Sequence, residues 1–147
     1  MADQVVRFKL LQPTARAPTR AHADDAGWDL YASRDVEIAS FSYGEIPFDI
    51  AIELPKPFDG WIWEAHIRPR SGTRRKGLFA TFGTIDQGYR GPLSAIVINM
   101  NPNPFLIQEG DRIAQLVVVA IPTVFFEAAL ALSESFRGER GFGSSGV

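Results

Sequence analysis

The stretch 83–91 reads GTIDQGYRG and carries one carboxylate, Asp86, beside the apolar Ile85, with Tyr89 three residues further on. Glycines at 83, 88 and 91 predict a tight hairpin around that carboxylate. A carboxyl group partly withdrawn from water can act as a general base or aim a water molecule. A tyrosine at this spacing can stack on a ring or a sugar face. An aspartate in a turn is also common for structural reasons alone, so the segment leaves both readings open.

Charge of the opposite sign is bunched nearby. Arg68, Arg70, Arg74, Arg75 and Lys76 fall within nine residues, and Arg137 and Arg140 follow near the C-terminus. A net charge of −2 argues against a nucleic-acid coat protein or a polybasic membrane binder. Local basic clusters on a mildly acidic chain suit a small anion, although a solvated basic loop is the commoner outcome for such a cluster. Within it, Arg70-Ser71-Gly72 places a small residue and a glycine at the end of an apolar stretch. A short helix starting near Ser71 would turn its first amides toward a phosphate, but a simple turn is the commoner explanation of the same residues. In 110–116 (GDRIAQL), Gln115 is a polar residue set in an apolar run, which demands a structural partner or a ligand.

The absence of cysteine excludes disulfides, thiol catalysis and thiolate metal sites. His22 and His66 lie far apart and form no metal-binding or triad pattern. A metal should therefore be a hard cation held by oxygens, Mg²⁺ first among them. No apolar run approaches bilayer length, which makes the cytoplasm the expected location.

The elements that must position these residues read as strands and turns. Alternation runs through 5–10, with Val6, Phe8 and Leu10 on one face, through 50–54, and through 61–67. The Val- and Ile-rich runs 93–99 and 113–121 suit strands buried on both faces. Breakers at Pro55, Pro57, Gly60, Gly88, Pro92, Asn101 and Gly110 separate them. Many short strands at such spacing predict an all-β sandwich, jelly roll or barrel. FFEAALAL (125–132) is compatible with a helix but too short for periodicity to decide. Four glycines in 137–147 (RGERGFGSSGV) predict a mobile arm, in which Arg137 and Phe142 are unusual choices for a mere spacer.

Taken in order, five segments resemble the motifs of the trimeric dUTPase family: AGWDLYA at 26–32, Arg70-Ser71-Gly72, GTIDQGYRG, GDRIAQL, and RGERGFGSSG at 137–146. The resemblance implies an all-β, jelly-roll-like distorted barrel with at most one short helix, and a homotrimer whose C-terminal arm is exchanged between subunits. It divides the chain into a β domain, 1–136, and an arm, 137–147. It implies hydrolysis of dUTP to dUMP and pyrophosphate, which keeps uracil out of DNA and supplies dUMP for dTMP synthesis. Asp86 would orient the water that attacks the α-phosphorus. Gly83, Thr84 and Ile85 would read uracil largely through backbone groups, and Tyr89 would pack on the deoxyribose. Arg70, Ser71, Gly72 and Gln115 would hold phosphates, as would Arg137, Gly143 and Ser144 of the arm, with Phe142 stacked on the base. Mg²⁺ would ride on the triphosphate, reached by Asp29 through water.

Against the family pattern stand Pro92, Arg140, Ser145 and Thr73-Arg74-Arg75. Arg140 in particular replaces a usual glycine and would be strained at a positive φ. A dCTP deaminase-like enzyme is the nearest alternative, but Ile96 stands where its catalytic Glu belongs, and an apolar residue cannot shuttle a proton. A nucleotide-binding regulator without hydrolysis is the other.

Overall fold

The computed structural model describes residues 4–141, and among them it is all-β apart from one five-residue helix. The strands are β1 (Arg7–Leu10), β2 (Trp28–Tyr31), β3 (Val36–Ile38), β4 (Tyr43–Pro47), β5 (Ile50–Glu53), β6 (Trp61–Pro69), β7 (Leu78–Ala80), β8 (Gly83–Ile85), β9 (Ser94–Asn99), β10 (Phe105–Ile107) and β11 (Arg112–Pro122), with α1 (Ser71–Arg75) between β6 and β7. All pairings are antiparallel. They form a four-stranded sheet ordered β2-β11-β6-β8, a three-stranded sheet β4-β9-β7, and the pairs β1-β5 and β3-β10.

Period-two alternation decides what is buried. Ile50 and Ile52 of β5, Ala65 and Ile67 of β6, and Ala95 and Val97 of β9 point into a common core with Leu30, Ile38, Ile46, Phe48, Leu78 and Ile107. Each large aliphatic or aromatic side chain so buried contributes about 1.5–3 kcal/mol. Two polar side chains tie the layers together. Buried Asn99 donates to the carbonyls of Ile38, Ala39 and Asn103 and accepts from Asn101. Buried Thr73 of α1 donates to Arg70 O at 2.9 Å and lies 3.4 Å from Ile113 O, which docks the helix on β11.

The structure differs from the sequence reading in four places. β1 forms, but among the described residues it pairs only with β5 and nothing covers it, so Phe8 and Leu10 stay exposed. β9 buries one face alone: Ile96, apolar though it is, lies on the outer side at 38% exposure. On β11 only Ile113, Ala114 and Leu116 are buried, and residues 117–121 are covered in part. In the segment 83–91, β8 pairs with β6 rather than with the strand that follows it, and the chain turns at 86–89 and crosses to the other sheet at β9. The stretch 125–132 is not helical. It belongs to a run, 122–141, in which every residue is exposed and which has no strand or helix after Pro122.

Candidate active site

Asp29 on β2 is the hub of a cleft of about 360 Å³ lined by Arg20, Asp25, Gly27, Arg70, Ser71, Arg112 and Gln115 among others. Register explains the assembly. Asp29 lies opposite Gln115, and Gln115 opposite Arg68, so β2, β11 and the end of β6 present one continuous surface. Where β6 ends, Pro69 gives way to Arg70 in an extended conformation, and α1 starts at Ser71, a short helix where the sequence favours a simple turn. Arg70 thus turns back over the sheet, its Nε 2.7 Å from Asp29 Oδ1 and its Nη2 3.4 Å from Oδ2. Arg112 Nη1 lies 3.4 Å from the same Oδ2. The carboxylate holds both guanidinium groups at the lining of the cleft, with Arg70 Nη1 also donating to Arg112 O at 3.1 Å, and guanidinium groups so placed suit phosphate oxygens.

Strand alternation alone would put Arg112 and Gln115 on opposite faces, because they are three residues apart. A register shift between Arg112 and Ala114 inserts one extra residue, Ile113, into β11 against β2. The bulge lets two consecutive residues, Ile113 and Ala114, be buried and brings Arg112 to the same side as Gln115. Gln115 donates from Nε2 to Pro69 O at 3.1 Å, and its side-chain oxygen lies over Gly27 so closely that any Cβ there would collide with it. Gly27 is a glycine to make room for that amide. Gly72, by contrast, has open space above it.

Asp86 is elsewhere. Ile85 lies opposite Ala65, so Asp86 falls level with Glu64, four residues along β6 from Arg68 and three strands across from β2. Strand spacing makes the separation from Asp29 roughly 20 Å. Asp86 is exposed rather than partly desolvated. Its turn is well held: Gln87 accepts from Trp63 N at 2.7 Å through Oε1 and donates to Pro55 O at 2.8 Å through Nε2. The Gln87 side chain occupies the next rung of the β6 ladder, and the main chain is free to turn away at Asp86. β8 is the outermost strand of its sheet, so among the described residues one backbone edge of Gly83–Ile85 has no strand beside it. Tyr89 folds over Gly91, donating from its hydroxyl to Pro92 O at 3.1 Å, with its ring half exposed.

Of the predicted residues, Asp29, Arg70, Ser71 and Gln115 meet in one cleft, and Gly72 follows Ser71 in α1. Gly83, Thr84, Ile85, Asp86 and Tyr89 form a second group. Arg137 is exposed outside both, its Nε donating to Arg140 O and its O accepting from Arg140 Nε, each at 2.9 Å. Phe142, Gly143 and Ser144 lie outside the described residues. Sequence reasoning missed Arg112, Gly27, Asp25 and Arg20. The first two sat inside recognised segments, but the face of β11 that Arg112 joins depends on a bulge the sequence does not show. Arg20 and Asp25 carried no signal of their own.

The dUTPase family model matches residues 14–146. The chain belongs to the dUTPase family. A deoxyuridine 5'-triphosphate nucleotidohydrolase from Clostridium tetani is 42% identical, the alignment covering 99% of each chain. One from a Mycobacterium species is 46% identical over 88% of this chain and 86% of its own. Among solved structures, Staphylococcus bacteriophage 80alpha dUTPase with dUPNHPP superimposes with a TM-score of 0.88 at 31% identity, covering 97% of this chain and 99% of that one. The dUTPase of phage phi11 of S. aureus, in a study of how it coordinates a structural Mg(II) ion, matches with a TM-score of 0.79 at 26% identity, over 88% and 99% of the two chains. Two departures from the dUTPase pattern find a place: the Pro92 carbonyl anchors Tyr89, and Arg140 is not among the residues with positive φ.

The donor set fits a metal carried in by the substrate. Among the described residues no group of three or more His, Asp or Glu could cage an ion. Asp29 already accepts three contacts from arginines, which leaves about one acceptor position on its carboxylate, enough to reach a cation through a water. Mg²⁺ held by few carboxylates, several waters and phosphate oxygens matches that arrangement.

Proposed function

We propose that this protein hydrolyses dUTP to dUMP and pyrophosphate as a homotrimer, its site assembled from different copies. Membership of the dUTPase family, together with the meeting of Asp29, Arg70, Ser71 and Gln115 in one cleft, supports this reading. The cleft takes the triphosphate. Arg70, Ser71 and Gln115 bind and orient phosphate oxygens, and Asp29 keeps the arginines in place. Asp86 accepts a hydrogen bond from a water and aims its oxygen at the α-phosphorus. The new P–O bond forms as the bond to the bridging oxygen breaks, the water passes a proton to Asp86, and pyrophosphate departs with the β- and γ-phosphates. Asp29 would help to hold Mg²⁺ through water, and the ion would supply further neutralisation of the developing charge.

The unpaired backbone edge of Gly83–Ile85 suits reading of uracil by Thr84 and Ile85, and Tyr89 suits packing on the sugar. With the cleft and Asp86 roughly 20 Å apart in one chain, Asp86 must come to the cleft from another copy. Val124, Phe125, Phe126, Leu130, Leu132 and Phe136 are all exposed apolar side chains, and a patch of this kind marks a surface that a partner covers. Residues 137–147 then act as the arm that closes the site, with Arg137, Gly143 and Ser144 on phosphates and Phe142 on the base. No helix among the described residues is long and apolar enough to cross a membrane, and a reaction on free nucleotide suits a cytoplasmic location.

A pyrophosphate-release assay over dUTP, dCTP, dTTP and UTP with Mg²⁺ tests the function. Release from dUTP alone is the expected result. Intact dUTP after incubation would leave a binder without catalysis, and ammonia from dCTP would identify a deaminase.

A further inference from the structure

Three guanidinium groups line the cleft, and they are not equivalent. Arg70 and Arg112 are both compensated by Asp29. Arg20, on the loop before β2, forms no ion pair among the described residues. Its Nη1 donates at 3.3 Å to the backbone carbonyl of Asp25, whose carboxylate is engaged by His22 N at 2.9 Å. Arg20 is nevertheless held in place, its guanidinium carbon 4.6 Å from the centroid of the Trp28 ring. Stacking on an aromatic face fixes the plane of a guanidinium and leaves its N–H edges free for an anion. Trp28 precedes Asp29 on β2, so the platform and the hub of the cleft are rigidly joined.

We propose that Arg20 is a further substrate-binding residue, which takes the β- and γ-phosphates of the nucleotide, and that Trp28 is the platform holding it. This rests on the reading of the cleft as the triphosphate site. The base-reading edge and the water-aiming carboxylate belong to the distant 83–91 segment, so the cleft receives the anionic tail. Within it, Arg20 is the one lining cation whose charge no carboxylate of the described residues offsets. Its contact is with the part of the substrate that leaves as pyrophosphate, and its loss should therefore affect pyrophosphate and dUTP but not dUMP.

The test uses the full chain with Mg²⁺ and three probes: dUTP turnover, inhibition by inorganic pyrophosphate, and inhibition by dUMP. Arg20→Ala should raise both the KM for dUTP and the inhibition constant for pyrophosphate about tenfold, as loss of a charge-assisted contact does. Inhibition by dUMP and kcat should change far less, and the defect should shrink as salt rises. Arg20→Lys should recover only part of the affinity. Trp28→Leu should reproduce the Arg20→Ala pattern, and Trp28→Phe, which keeps a ring face, should restore pyrophosphate binding. A folded Arg20→Ala protein with unchanged pyrophosphate inhibition, or with dUMP weakened equally, overturns the proposal. If the wild-type chain released no pyrophosphate from dUTP, the functional reading would fail by itself, and pyrophosphate binding to the two proteins would still decide the role of Arg20.

Discussion

Replacing Asp86 by Asn keeps the size of the side chain and removes the charge that would polarise a water. Turnover of dUTP should fall at least a hundredfold, with nucleotide binding retained. Comparing kcat with affinity for a non-hydrolysable nucleotide checks this, and normal turnover would remove Asp86 from the mechanism. Gly27→Ala is the complementary case. The new methyl meets the Gln115 side-chain oxygen, so the amide must swing out of the cleft while the core beneath is untouched. The expected result is a kcat/KM lowered about tenfold with little change in melting temperature, since about 1.4 kcal/mol of lost orientation is enough. The types of these residues could be read from the sequence because their chemistry is unusual in turns and apolar runs. That Gly27 exists for the sake of Gln115 could not be read, since their contact joins residues 88 positions apart.

At the level of elements, the strands of the core were legible because alternation and breakers are local signals, whereas the five-residue helix at Ser71 was too short to be told from a turn. β1 was legible as a strand but not as an exposed one, because exposure depends on what packs over it. The bulge at Ile113 was hidden for a different reason: an extra residue in one strand shows itself only against the partner strand. Arg112 was missed on that account. The turn that carries Asp86 has a support equally hidden from sequence, the Gln87 amide between Trp63 N and Pro55 O. Gln87→Ala removes both bonds and leaves a half-buried amide short of an acceptor. It should lower stability by about 2 kcal/mol in denaturant titration. It should also reduce kcat more than it raises KM, because Asp86 loses its fixed approach. Equal kinetic parameters in the two proteins would show the turn to be held by other means.

At the level of the whole molecule, the proposed use of both the cleft and Asp86 would make the active unit larger than one chain. Arg70→Ala and Asp86→Asn proteins should each be inactive. Unfolded together at equal amounts and refolded, they should regain about a quarter of wild-type activity, the fraction of sites that draw an intact cleft from one copy and an intact carboxylate from another. No recovery would place both groups in the service of one chain. The same organisation gives the run 122–141 a second meaning. It emerges during synthesis after the sheets it follows have been completed, and in a lone copy its phenylalanines and leucines have no surface of their own chain to rest on. Such an orphan should be clipped there by proteases long before its sheets are attacked, and assembled copies should resist. The tail would then serve as a census of assembly, sparing chains that have found companions and exposing the solitary ones to disposal.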